Sequence, residues 1–274
     1  MARHPEQSDS KPRISVVTRV LVGAFIVVIL FSLLLPGTRS GPPSPLGDCQ
    51  FNMSRIAIAM GQYHDDYGCF PPAYVADEDG RPLHSWRVLL LPYLAQAGFH
   101  PEYNRVYSEY NFDEPWNGPH NILLLEQTPS MYRCPGEGED ESPFTSYVAI
   151  VGPGAVFDRD HSNSLSDLDV PELTIMIAEI SGSDILWTEP RDLSSAEMTF
   201  RVNGGANDIS SSHEGGANVV FCTRQITHSE NGTVDFGGVG FLTDETSPAW
   251  LKGRCTLSGA DSGLQSSSTS SPPD

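Results

Sequence analysis

Basic residues are scarce in this chain. It carries 16 Lys and Arg against 35 Asp and Glu, for a formal net charge of −19. A surface of that sign repels phosphate, which excludes non-specific binding to nucleic acid or to an anionic membrane surface. Cysteine is sparse too, five in 274 residues, and no C-x-x-C pair exists, which removes the zinc-knuckle and thioredoxin-type motifs. There is no G-x-S-x-G, no H-E-x-x-H, no P-loop and no G-x-G-x-x-G after a strand. The glycine pairs in "VNGGAND" and "HEGGANV" do not lead into a helix whose N-terminus could hold a phosphate. The acidic run Gly136–Pro143 lacks the spaced D-x-[DN]-x-[DN]-G pattern of a calcium loop. The sequence therefore assigns no catalytic, cofactor-binding or metal-binding residue, and it points to a protein that is not an enzyme.

One long hydrophobic run is present. "ISVVTRVLVGAFIVVILFSLLL" covers residues 14–35, and about 20 apolar residues span a bilayer as a helix. Arg19 lies near its N-terminal end and can snorkel to the headgroups. Arg3, Lys11 and Arg13 precede the run, so residues 1–13 are expected in the cytoplasm and the rest outside. The exit "PGTRSGPPSP" has no A-x-A-like cleavage site, which favours a retained anchor over a signal peptide. Residues 36–48 read as a Pro/Gly linker, 49–255 as an extracytoplasmic domain, and 256–274 as a disordered Ser-rich tail.

Within that domain Cys49, Met53, Ile56, Met60, Tyr63 and Tyr67 recur every three or four residues, one stripe of an amphipathic helix that packs on a core. Asn52, Arg55, Gln62 and Asp66 lie off the stripe. Gly68 is the expected stop, and His64-Asp65-Asp66 reads as a solvated face because neighbours on a helix point apart. Ser85 caps a short helix that Pro92 interrupts, and a further helix is expected around Asn121–Gln127. "TSYVAIVGPG", "ELTIMIAEI" and "DILWTEP" read as strands, and "GANVVFCTRQITH" as strand, turn, strand. The layout is α+β, with the helix covering an antiparallel sheet.

A helix over 49–68 sets its ends about 30 Å apart, which excludes a Cys49–Cys69 disulfide. Five cysteines leave at least one thiol without an intrachain partner. His213, in "SSHEGGANVV", is the residue of chemical interest. It reads as a ring that hydrogen-bonds nearby backbone at the start of a strand. The alternatives are a hydrolase that uses it with Glu179 or Asp208, and a binding pocket lined by Trp86, Trp116 and Trp187.

Several pieces occur in a telling order: "CQFNMSRIAIAMGQYHDDYGCFPP", "GRPLHSWRVLLLPYL", "DEPWNGPHN", "YRCP", "TSYVAIVGPG" and "SHEGGANVVF". Together they resemble the bacterial family called domain of unknown function 1559, over roughly residues 33–226. Its members resemble type IV pilins and type II secretion pseudopilins, and many end in an H-x9-DG motif. The resemblance implies a pseudopilin-like plan, a hydrophobic N-terminal helix followed by an amphipathic helix packed on an antiparallel sheet. It implies no enzymatic activity, although one label used for the family suggests solute binding. Cys49 and Cys134 sit in family-type motifs, so the resemblance makes them the first pair expected to form a disulfide.

The chain departs from the family in three places. It lacks the processed G-F-T-L-V-E type start, "GTRSGPPSP" breaks the helix that usually continues, and Thr223-Arg224 stands where Asp-Gly is usual. The first two argue against entry into a pilus-like filament. The expectation is a single-pass protein of the bacterial inner membrane, anchored in the lipid bilayer through residues 14–35, with a structural or protein-interaction role among envelope partners. The alternative is an extracytoplasmic module for a solute or carbohydrate.

Overall fold

The computed structural model describes residues 15, 17–18, 20–26, 45–96, 100–138, 142–159, 161–168, 174–225 and 235–255. The chain divides into two compact units, Met1–Pro43 and Ser44–Asp274. In the first, residues 17–18 and 20–26 are helical. No helix among the described residues is long and apolar enough to cross a membrane. Much of the expected span 14–35 lies outside those residues, as do 1–13 and the tail 256–274.

The second unit opens with helix α1, Pro45–Tyr67. The expected linker 36–48 is therefore too long by its last four residues. Pro45 suits a first helical turn, where a missing N–H costs nothing and φ is already set. Asp48 adds a favourable charge near the positive end of the helix dipole. Cys49, Met53, Ile56 and Met60 are fully buried, so the stripe is the packing face at this end. It ends before Tyr67, which is 63% exposed. Asn52, expected on the polar side, is buried because its Nδ2 donates to the Arg133 carbonyl at 3.0 Å. Gly68, at φ 73°, turns the chain out of the helix. Asp65 and Asp66 face solvent. His64 does not stand fully with them. Its Nε2 accepts from the Leu165 N–H at 3.3 Å and its ring packs on Phe70.

A hairpin of β1 (Tyr74–Ala76) and β2 (Pro82–Ser85) follows. The Ser85 side chain then caps α2 (Trp86–Leu89), and α3 (Leu91–Gln96) and α4 (Glu102–Glu109) complete this helical edge. Residues Asn121–Gln127 form a 3-10 helix.

The main sheet has seven strands: β3 (Tyr147–Val151), β4 (Phe157–Asp158), β5 (His161–Ser162), β6 (Ile175–Glu179), β7 (Leu193–Ser194), β8 (Gly216–Gln225) and β9 (Asp235–Thr243). The spatial order is 5-4-3-6-8-9, with β7 beside β3. The central pairs β3–β6, β6–β8 and β8–β9 are antiparallel, as expected, but β4 and β7 join β3 in parallel. The sheet is therefore mixed and the class is α+β. Helix α1 packs against β8 and β9, and a short α5 (Pro248–Cys255) closes the described chain. One core lies between α1 and the sheet, and a second, around Ile150, Ile175, Val219 and Leu251, lies on the other face.

One expected strand fails. "DILWTEP" makes one isolated bridge, Phe144 to Leu186, flanked by bonds from the Thr145 N–H to the Ile185 carbonyl and from the Trp187 N–H to the Pro143 carbonyl, and then turns, the Glu189 N–H bonding the Leu186 carbonyl. Ile185 and Trp187 are buried by packing rather than by a ladder. No turn forms at Thr223-Arg224 either. Strand β8 runs through it to Gln225, and the pairing steps from Phe221–Gly238 to Arg224–Phe236, so β8 carries one extra residue. A β-branched residue suits such a strand and resists the positive φ of a tight turn. The partner arm is β9, and residues 226–234, which include most of the second arm expected in "GANVVFCTRQITH", lie outside the described residues.

Candidate functional site around a buried disulfide

Four segments converge at the C-terminal end of β6, an interior strand. Helix α1 contributes Cys49, the loop after Tyr132 contributes Cys134, the end of β6 contributes Glu179, and the lead-in to β8 contributes His213. Cys49 and Cys134, the pair singled out by the family motifs, are joined in a disulfide across 85 positions of sequence. The Nε2 of His213 lies 3.3 Å from the Cys134 sulfur and 3.5 Å from Glu179 Oε1. The His213 and Glu179 side chains are 8% and 2% exposed. The imidazole thus faces the disulfide and a carboxylate, and not the neighbouring backbone that the sequence reading assigned to it.

Glu179 is held by strand pairing and by Asn218. The Asn218 N–H donates to Oε2 at 2.7 Å and its Nδ2 to Oε1 at 3.0 Å. Asn218 in turn accepts from Gln50 Nε2 at 3.0 Å, which ties the carboxylate back to α1. On the other side, the Cys134 N–H donates to Ser146 Oγ, and that hydroxyl donates to Glu137 Oε2 at 2.6 Å. The phenol of Tyr147 lies 3.5 Å from the carbonyls of Cys49 and Arg133. Burial, then the charge of Glu179, holds that phenol well above its usual pKa.

An open cavity of about 450 Å³ adjoins the disulfide, walled by Arg133, Cys134, Glu137, Ser146, Ser183 and Ser212 among others. Its lining is hydroxyl-rich. Trp86 and Trp187 are fully buried, so they cannot line an open pocket as the aromatic-pocket reading required, and Trp116 is half-buried.

The other acid/base candidates stay apart from this arrangement. Asp208 accepts from the Thr199 N–H, the Thr199 hydroxyl and the Phe200 N–H. It holds a turn in which Phe200 has φ 60°. Glu214 is exposed. The free thiols are Cys69, half-buried, and Cys222 and Cys255, both buried, with burial pushing the last two up to about 12.

Sequence reading missed Asn218 and Glu137, which orient the site. It also missed the Arg87–Asp192 pair, at 2.6 Å and almost wholly out of water. Arg87 donates from Nε and Nη2 to the Tyr147 carbonyl. Asp192 accepts from the Ala149 N–H and from Trp86 Nε1. Burial raises the Asp192 pKa against the opposing pull of Arg87. No local pattern marks these pairs, because their partners lie far apart in sequence.

The quoted motif pieces are largely one hydrogen-bonded framework. Asn52 of "CQFN" holds the Arg133 carbonyl of "YRCP", and the Tyr132 hydroxyl of "YRCP" donates to the Arg87 carbonyl of "HSWR". In "DEPWNGPHN", Glu114 Oε1 accepts the N–H groups of His120 and Asn121, and buried Asn121 donates to the carbonyls of Asn111 and Pro115. No curated protein and no solved structure matches the chain. Residues 47–169, which hold Cys49 and Cys134 and end before Glu179 and His213, match the family described as "Protein of unknown function (DUF1559)".

Proposed function

We propose that this chain is a non-enzymatic protein of the bacterial cell envelope. Residues 14–35 anchor it in the inner membrane, its N-terminus is cytoplasmic, and its α+β domain is a pseudopilin-like module with a structural or protein-interaction role. The observation that carries the reading is the buried Cys49–Cys134 disulfide. Such bonds persist in oxidising compartments and are rare in reducing ones, which supports placing Ser44 onward outside the cytoplasm. The basic residues before the apolar run support the same orientation. Phe51, 53% exposed on α1 and covered on one side by Arg55 at 3.9 Å, is apolar surface that a partner could cover.

Protease treatment of spheroplasts tests this. The domain should be cut while a cytoplasmic control survives. A domain that survives while a periplasmic control is cut would overturn the topology, and membrane-free recovery of the full chain would overturn the anchor.

A second reading is favoured by the hydroxyl-rich cavity, whose volume falls in the range of ligand sites. It is that the domain binds a polar solute such as a carbohydrate. Calorimetry of the soluble domain against a sugar panel tests it. Heats that persist unchanged in Ser183→Trp, which would fill the cavity, would place any binding elsewhere.

A further inference from the structure

We propose that Cys49, Cys134, Glu179 and His213 form a redox-gated site for a zinc-type divalent cation. The site is closed while the disulfide stands and is made available by its reduction. This goes beyond the envelope role, which needs only the oxidised form.

The geometry comes first. One ligand atom from each residue (two sulfurs, His213 Nε2 and a Glu179 oxygen) lies within 4.8 Å of every other. A tetrahedral zinc with sulfur, nitrogen and oxygen ligands sets those atoms about 3.3–3.8 Å apart. The His213–Cys134 and His213–Glu179 separations are 3.3 and 3.5 Å, so those two pairs already stand at coordination spacing. The chemistry is that of a soft, tetrahedral site, two thiolates with an imidazole and a carboxylate, which favours zinc over calcium or magnesium.

The surroundings are those of a built site. Each ligand comes from a different segment, two of them anchored in α1 and β6, the others in the loop after Tyr132 and the lead-in to β8. The Asn218 N–H and side-chain amide grip Glu179, the kind of outer contact that orients a metal-binding carboxylate. Of the four ligands, Cys134 also lines the adjoining open cavity, beside Glu137, Ser146 and Ser212. Gly136 lets the His213 ring lie close, since a Cβ there would sit 3.0 Å from its Cε1.

The redox step balances without any unnamed partner. A dithiol or phosphine reductant supplies two electrons, the Cys49–Cys134 bond breaks, and two protons give two thiols. The dithiol ends as its own disulfide, or the phosphine as its oxide with oxygen from water. Metal binding then releases both thiol protons, leaving two thiolates, neutral His213 and ionised Glu179 on the cation. Reoxidation by a small-molecule disulfide re-forms the bond and expels the metal.

Cobalt(II) reports on such a site, and the full chain in detergent is the sample. Oxidised protein should give no thiolate-to-cobalt charge-transfer band. After phosphine reduction it should take up one cobalt per chain, with that band and intense tetrahedral d–d absorption. Zinc should bleach both, and a disulfide oxidant should abolish them. His213→Ala should lose the tetrahedral bands, and Asn218→Ala should weaken binding about 10- to 100-fold. Circular dichroism accompanies each titration. If reduction loosens the fold, zinc should restore it. Reduced chain that binds no cobalt, binds it without the charge-transfer band, or loses its fold and does not regain it with zinc overturns the proposal. Equal cobalt binding by Cys49→Ser/Cys134→Ser overturns it as well.

Discussion

The guanidinium of Arg87 stands 2.6 Å from the carboxylate of Asp192, and the two side chains are 0% and 3% exposed. They join the start of α2 to the sheet, since Arg87 also holds the Tyr147 carbonyl and Asp192 the Ala149 N–H. A buried charge that loses its partner costs about 3–5 kcal/mol. Arg87→Met should therefore destabilise the domain by that order in urea unfolding. Arg87→Met/Asp192→Asn should be less costly than Arg87→Met alone, because the amide still accepts from Ala149 and carries no charge. A double variant as unstable as the single would refute the pairing argument.

The same pair carries a pH signature. Burial already raises the Asp192 pKa in the folded state, and removing Arg87 takes away the force that lowers it. A folded pKa above the unfolded one, about 3.9, gives stability that is greatest at acid pH and is lost as pH rises through the folded value. Arg87→Met should consequently lose less stability at pH 5 than at pH 7.5. An equal loss at both would show folded Asp192 already ionised at pH 5 and would overturn the raised folded pKa.

In "HEGG", each glycine has a separate physical reason. Gly215 sits at φ 81°, and a Cβ on Gly216 would run into the Leu242 carbonyl oxygen across the β8–β9 pair. Gly216→Ala should cost about 1–3 kcal/mol through forced strand separation. Gly205→Ala is the control. A Cβ there meets nothing within 4 Å, and its effect should stay within about 0.5 kcal/mol. Thermal melts of the two variants decide it, and similar shifts would sink the close-approach argument.

Disulfide and thiol behaviour should separate cleanly. Closing a loop of 85 positions restricts the unfolded chain, and Cys49→Ser/Cys134→Ser should cost about 4.6 kcal/mol on the chain-entropy account. A loss under 1 kcal/mol would show that the bond constrains little. Among the free thiols, half-buried Cys69 should alkylate first in native protein at pH 8. Cys222 and Cys255, held up to about 12 by burial, should label only on unfolding. Their shift also bears on stability. The contribution is fully present below the unfolded thiol pKa of about 8.5 and is lost as pH rises toward 12. Fast labelling of Cys222 in folded protein would contradict its placement in the core.

Much of this architecture was legible in local chemistry. The stripe from Cys49 to Met60, the stop at Gly68, the Ser85 cap and the buried run Ile175–Glu179 follow from periodicity, φ preference and side-chain hydrogen bonding within a few residues. Only long-range packing decided the rest. "DILWTEP" has a strand's composition but meets its neighbour, residues 143–145, at a single bridge, and Thr223-Arg224 stays in a strand because β9 offers nine residues of partner.

The site shows the same division. Residue type alone marked His213, Cys49 and Cys134. Nothing within a few residues of His213 says that its ring meets a disulfide from α1 and a carboxylate from β6. That meeting depends on strand order, on the register that sets Asn218 beside Glu179, and on the helix that covers them. A linear sequence determines which groups can ionise, ligate or cross-link. The distances between them, on which coordination, charge pairing and redox coupling depend, arise only when the sheet closes.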